Sequence, residues 1–144
     1  MTQQPIKKRL CLNSLLLCLF LLQSHFPLAD KSIVKAAQSF LDSLNPAQKK
    51  QATYPLMDEE RYNWHFTPRV RQGLAIKDMS QQQRDAFYAL MRASLSERGY
   101  EKAQQVRELE AVLRAVEGRQ PGDTYRDPLN YYFTIFGKPA ADEA

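Results

Sequence analysis

Residues 57–71, MDEERYNWHFTPRVR, concentrate the side chains with which this chain could do chemistry. They hold three consecutive acids, the one Trp of the sequence, one of its two His and three Arg. Laid out as a strand over 61–67, the segment puts Tyr62, Trp64 and Phe66 on one face. Glu59, Arg61, Asn63, His65 and Thr67 fall on the other. In that polar row His65 could serve as general acid or base, with Glu59 orienting or charging it. Arg61 and Arg69 could grip a carboxylate or phosphate bidentately, and Asn63 could add a hydrogen bond to the same ligand. A plainer reading stands beside it. A Trp with aromatic neighbours at period two is commonly core, and arginines next to acids are commonly surface ion pairs worth about 0–1 kcal/mol. Asp58, Glu59 and Glu60 read best as a solvated run or as helix-start acids.

The rest of the chain limits what can join them. The formal charge is +4, but Lys7, Lys8 and Arg9 lie in a stretch, 1–29, that has no acid. The remainder, 30–144, carries 17 basic against 16 acidic residues, a net of +1. A body so close to neutrality has no general electrostatic reason to seek nucleic acid, and none is expected as a partner. A small polar molecule or a protein is the expected kind of partner. Cys11, Cys18 and His25 all fall in the same first stretch, so disulfides and Cys or paired-His zinc sites are not expected beyond it. No metal site is assigned, and no particular cofactor is indicated. G-x-S-x-G, G-x-G-x-x-G, Walker and H-E-x-x-H patterns are lacking.

Three positive residues followed by the apolar run LCLNSLLLCLFLL at 10–22 predict a secretory signal peptide. The run matches the 7–15 residues of such a core and is short of the roughly 18–20 that span a bilayer. Cleavage is expected after Ala29, with Ser24 a poorer position. The protein is therefore expected to be exported, periplasmic or extracellular, without stable membrane insertion once the signal is removed.

The elements that must position the site are mainly helical. Ile33, Ala37, Phe40 and Leu44 form one stripe and predict a helix over 31–44. Asn45-Pro46 starts a second over 46–51. Ser80 with Gln83 matches a capping box before the face Phe87, Leu90, Met91 and Leu95, which predicts a helix over 81–98 stopped by Gly99. Val106, Leu109, Leu113 and Val116 predict a helix over 100–117 closed by Gly118, with Glu110 and Arg114 as an exposed pair. The two should pack as an antiparallel hairpin. After a loop at 119–128, LNYYFTIFG predicts a strand over 130–136, whose partner is expected to be 61–67.

Three runs carry a resemblance to a known family: FLDSLNPAQKKQATYPLMDEERYNWHFTPR, GLAIKDMSQQQRDAFYALMRASLSERGYEKA and RDPLNYYFTIFGKP. Together they resemble the start of family 3500 of the domains of unknown function, most specifically in ERYNWHFTPR, RASLSERGY and YYFTIFG. The resemblance implies an exported bacterial protein and a domain longer than this chain, continuing after YYFTIFG with Trp, Gly and paired His. Arg61, Asn63, Trp64, His65, Pro68 and Arg69 fall on the family's early motif, with no role implied for them. The expectation is an α+β fold, mainly helical in this portion, with residues 1–29 a signal peptide and 30–144 the N-terminal portion of a single larger domain. Its site would act on a small polar substrate through His65. The alternative is a non-catalytic ligand- or protein-binding module.

Overall fold

The computed structural model describes residues 31–65, 67, 69, 71–120 and 123–140. Residues 1–29, the expected signal peptide, and Phe66 and Pro68 lie outside the described residues. Helix α1 (Lys31–Ser43) buries Ala37 and Phe40 from its apolar stripe. Helix α2 (Pro46–Ala52) begins at a reciprocal capping box, Asn45 with Gln48, and leads into the two-residue strand β1 (Thr53–Tyr54). Strand β2 (Leu74–Ala75) and a 3-10 turn (Ile76–Asp78) precede α3 (Gln81–Ser94), which opens on the capping box of Ser80 and Gln83. Helix α4 (Glu97–Val116) follows, and strands β3 (Tyr132–Phe133) and β4 (Ile135–Phe136) complete the described chain. The architecture is mainly helical α+β, as the patterning implied.

The core is an aromatic triad sealed by aliphatics. Phe40 of α1, Phe87 of α3 and Phe133 of β3 meet with ring centroids 5.1–6.0 Å apart, the two contacts to Phe133 being edge-on. Leu74, Ile76 and Met79 close it from β2 and the turn after it. Gln83 is the buried polar member. Its amide accepts from Ser80 N–H, completing the cap, and donates to the Ser43 carbonyl at 2.9 Å and to Gln48 Oε1 at 2.8 Å. One side chain thereby ties the end of α1 and the start of α2 to the start of α3, with its own polar atoms satisfied.

Segment 131–137 threads between two partners. β3 pairs antiparallel with β2 (Leu74 opposite Phe133), and β4 pairs parallel with β1 (Thr53 opposite Ile135). The single strand expected over 130–136 is therefore split at Thr134, where the chain changes hydrogen-bonding partner. The partner expected for it is wrong as well. None of the described residues of 61–67 is in a strand: Glu59–Tyr62 is a 3-10 helix capped by Asp58, and residues 63–65 and 67 follow without strand pairing. The acids at 58–60 are helix-start residues, one of the two roles read for them. Trp64, expected to face the core, is 75% exposed.

Two further expectations fail around α4. The break before it comes at Leu95–Ser96, not at Gly99, because the Ser96 hydroxyl caps the new helix by accepting from Gly99 N–H. α3 packs chiefly on α1, and its contacts with α4 include Arg92 over the Tyr100 ring and Arg107 donating to the Tyr88 hydroxyl at 2.7 Å. α4 buries no residue fully, and Leu109, Val112 and Val116 of its apolar side are exposed. Nor are Glu110 and Arg114 an exposed pair, for both turn to the loop that follows the helix.

Candidate functional site

A cleft of about 490 Å³ opens between residues 64, 65, 69 and 71 on one side and a wall made by α4 and residues 125–132 on the other. This is the size range of small-molecule sites. On the first side stand Trp64, His65, Arg69 and Arg71; on the other, Glu110, Asp127, Asn130 and three tyrosines.

The described residues of the first side lie outside helix and strand, so their backbone carbonyls need other donors. Arg71 supplies them. Its guanidinium donates to the carbonyls of His65 at 2.5 Å, Thr67 at 2.8 Å and Arg69 at 3.1 Å, so that one planar cation gathers three carbonyls. Arg61 does the same for the preceding turn, donating to the Leu56 carbonyl at 2.8 Å.

At the centre of this loop the His65 ring nitrogen Nε2 lies 2.9 Å from Asn63 Oδ1 and 2.9 Å from Arg69 Nη1. These contacts make opposite demands. A guanidinium only donates, so its bond needs the Nε2 lone pair; the amide oxygen only accepts, so its bond needs a proton on Nε2. The nitrogen cannot satisfy both at once. Asn63 is itself held, donating from Nδ2 to Glu60 Oε2 at 2.9 Å, so its oxygen is fixed toward the imidazole. Either protonation state of Nε2 thus finds one partner waiting.

The opposite wall is held by a charged stripe. Arg107, Glu110, Arg114 and Glu117 recur at helical spacing along α4, on the side turned to the loop. Arg107 and Arg114 donate to the carbonyls of Pro128 and Arg126. Glu110 accepts from the Tyr131 hydroxyl at 2.9 Å and pairs with Arg126 at 3.4 Å. Glu117 pairs with Arg126 at 2.6 Å and with Arg119, and these hydrogen bonds hold its carboxyl down at about 2. Partial burial, with the Glu110 carboxylate adding to it, pushes the Tyr131 phenol up to about 12, so it remains a hydroxyl donor at ordinary pH. Tyr125 lies against both Arg119 and Arg126, whose guanidinium carbons are 4.1 and 5.1 Å from its ring centroid.

Of the residues singled out in the sequence, the cleft brings together His65 and Arg69, with Asn63 hydrogen-bonded to the imidazole. Glu59 is exposed in the 3-10 turn, and Glu60 is the acid joined to the chain of contacts through Asn63. Arg61 is engaged with backbone. Sequence reasoning missed Arg71, Glu110, Asp127 and the tyrosines of the far wall. The R-E-R-E spacing of α4 was the available signal, and it ran beside an apolar stripe of the same period.

The chain matches the family model described as protein of unknown function (DUF3500) over residues 28–144. It belongs to that family. Membership in DUF3500 covers the described residues, both walls of the cleft included. No curated protein and no solved structure matches the chain. Among the described residues no helix is long and apolar enough to cross a membrane, and no group of three His, Cys, Asp or Glu is arranged to hold a metal ion.

Proposed function

We propose that the cleft binds a small polar molecule carrying an anionic group, that Arg69 anchors the anion, and that His65 exchanges a proton with the bound molecule. The observation that carries this reading is the pair of 2.9 Å contacts at Nε2. A carboxylate arriving at Arg69 takes over its N–H groups and releases the Nε2 lone pair. The imidazole can then accept a proton, and Asn63 Oδ1 is already in place to receive the new N–H. Anion binding and protonation of His65 are thereby coupled through one nitrogen.

The test uses malonate as probe. His65 is the only His of 30–144, so its ring signals in NMR report the site without assignment of the rest. Saturable shifts are expected on adding malonate, with the affinity weakened about tenfold or more in Arg69→Gln, as loss of a hydrogen bond between charged groups implies. A His65 signal indifferent to malonate would remove the proposal. One observation favours the non-catalytic alternative: among the described residues the imidazole is hydrogen-bonded by an amide and a guanidinium, and by no carboxylate that would orient it as a general base.

Export is also proposed, on the strength of the basic start and the short apolar core at 10–22. Intact-mass measurement of periplasmic or secreted material is expected to show a chain beginning at Asp30. Recovery of the full-length chain embedded in membrane would contradict it.

A further inference from the structure

We infer that the molecule taken by this cleft is an acidic sugar, a ring bearing both hydroxyls and a carboxylate. This rests on the anion reading above and narrows it. The cleft asks for two kinds of polar group at once. Arg69 can only donate and calls for an acceptor, best a carboxylate, which its fork meets with two parallel bonds. On the far wall Asp127, half-buried, can only accept when ionised, and one of its oxygens is occupied by Leu129 N–H at 2.9 Å. A dicarboxylate long enough to span the cleft would meet Asp127 with like charge. A ligand that spans the cleft must therefore present hydroxyl donors toward Asp127 while presenting its anion toward Arg69. Asn130, whose side-chain oxygen accepts from the Tyr132 hydroxyl at 3.2 Å, keeps an amide N–H₂ that can donate to a hydroxyl oxygen.

The aromatic residues supply the remaining requirement. Trp64 borders the cleft with three quarters of its surface exposed, and Tyr125 stands exposed on the other side. A flat indole offers the apolar C–H face of a pyranose a large rigid contact at little entropic cost. Neither a compact inorganic anion nor a short aliphatic acid would use it. An aryl carboxylate could stack on Trp64 and reach Arg69, but would leave Asp127 facing an apolar ring without a donor.

The experiment exploits the single Trp of the chain. Galacturonate, trigalacturonate, galactose and malonate are titrated separately, with intrinsic fluorescence read at Trp64 and calorimetry run in parallel. A saturable emission change with galacturonate or trigalacturonate is expected, at least tenfold tighter than galactose or malonate, and weakened at least tenfold in Arg69→Gln. Calorimetry with Trp64→Ala is expected to show a similar loss for the uronates, with thermal melting confirming that the variant folds. Tighter binding of the trimer than the monomer would mark the ligand as a stretch of acidic polysaccharide; equal affinity would mark it as the free sugar acid. Malonate binding as tightly as either uronate, without an emission change for any ligand, would overturn the sugar assignment and leave the anion reading standing. Absence of binding by all four would overturn both.

Discussion

Phe40→Ala is expected to lower the unfolding free energy by about 3–5 kcal/mol, whereas Trp64→Ala changes it by no more than about 0.5 kcal/mol. Phe40 is fully buried, with its ring packed on Phe87 and on the edge of Phe133. Its truncation removes a large apolar surface and leaves a cavity bounded by three elements that cannot all collapse into it. Trp64 is the larger side chain, but three quarters of it is already in water. Urea unfolding of the two variants followed by far-ultraviolet circular dichroism measures the difference. Comparable midpoints would show that Trp64 is part of the core and that the cleft does not have the wall assigned to it.

Gly73→Ala is expected to cost roughly 2–4 kcal/mol, the sum of backbone strain and overpacking. Gly73 has φ +104°, which side-chain-bearing residues rarely adopt, and a Cβ there would lie 2.9 Å from the Phe133 carbonyl oxygen and 2.8 Å from Thr134 Cγ2. The carbonyl belongs to β3, so relief would come by pulling β3 away from β2. That pairing also places Tyr131 and Tyr132 at the cleft, since Ile76 N–H donates to the Tyr131 carbonyl at 3.0 Å. The variant should therefore lose malonate affinity together with stability. An unchanged melting temperature would show that the β2–β3 approach is looser than described.

Much of the fold is legible in the sequence because it is local. The stripes of α1 and α3 are helical periodicity read directly, and the capping box of Ser80 and Gln83 is a four-residue signal whose donors and acceptors sit beside each other in the chain. The misreadings come where two signals of equal period compete. Along α4 the apolar residues and the charged residues both recur at helical spacing. Which faces inward is decided by Arg119, Arg126 and Tyr131 in the following loop, where they offer the charged stripe its complements. In residues 61–67 the alternation of aromatic and polar residues looks like a strand edge on a core. Instead Glu59–Tyr62 forms a 3-10 turn and Arg71 holds the carbonyls of His65, Thr67 and Arg69, an arrangement that leaves no trace in periodicity. The candidate site was half visible for the same reason: His65, Asn63 and Arg69 lie within seven residues, while the wall they face begins some forty residues further on.

The central claim is that anion binding at Arg69 moves a proton onto His65. Calorimetric titration with malonate at pH 7.5, in buffers of different ionisation enthalpy, gives the number of protons taken up on binding. The wild-type protein is expected to take up a proton, up to about one per malonate, from the single-site coupling at Nε2; His65→Gln should take up none. Malonate binding with no proton uptake in the wild type, or with the same uptake in His65→Gln, would contradict the account.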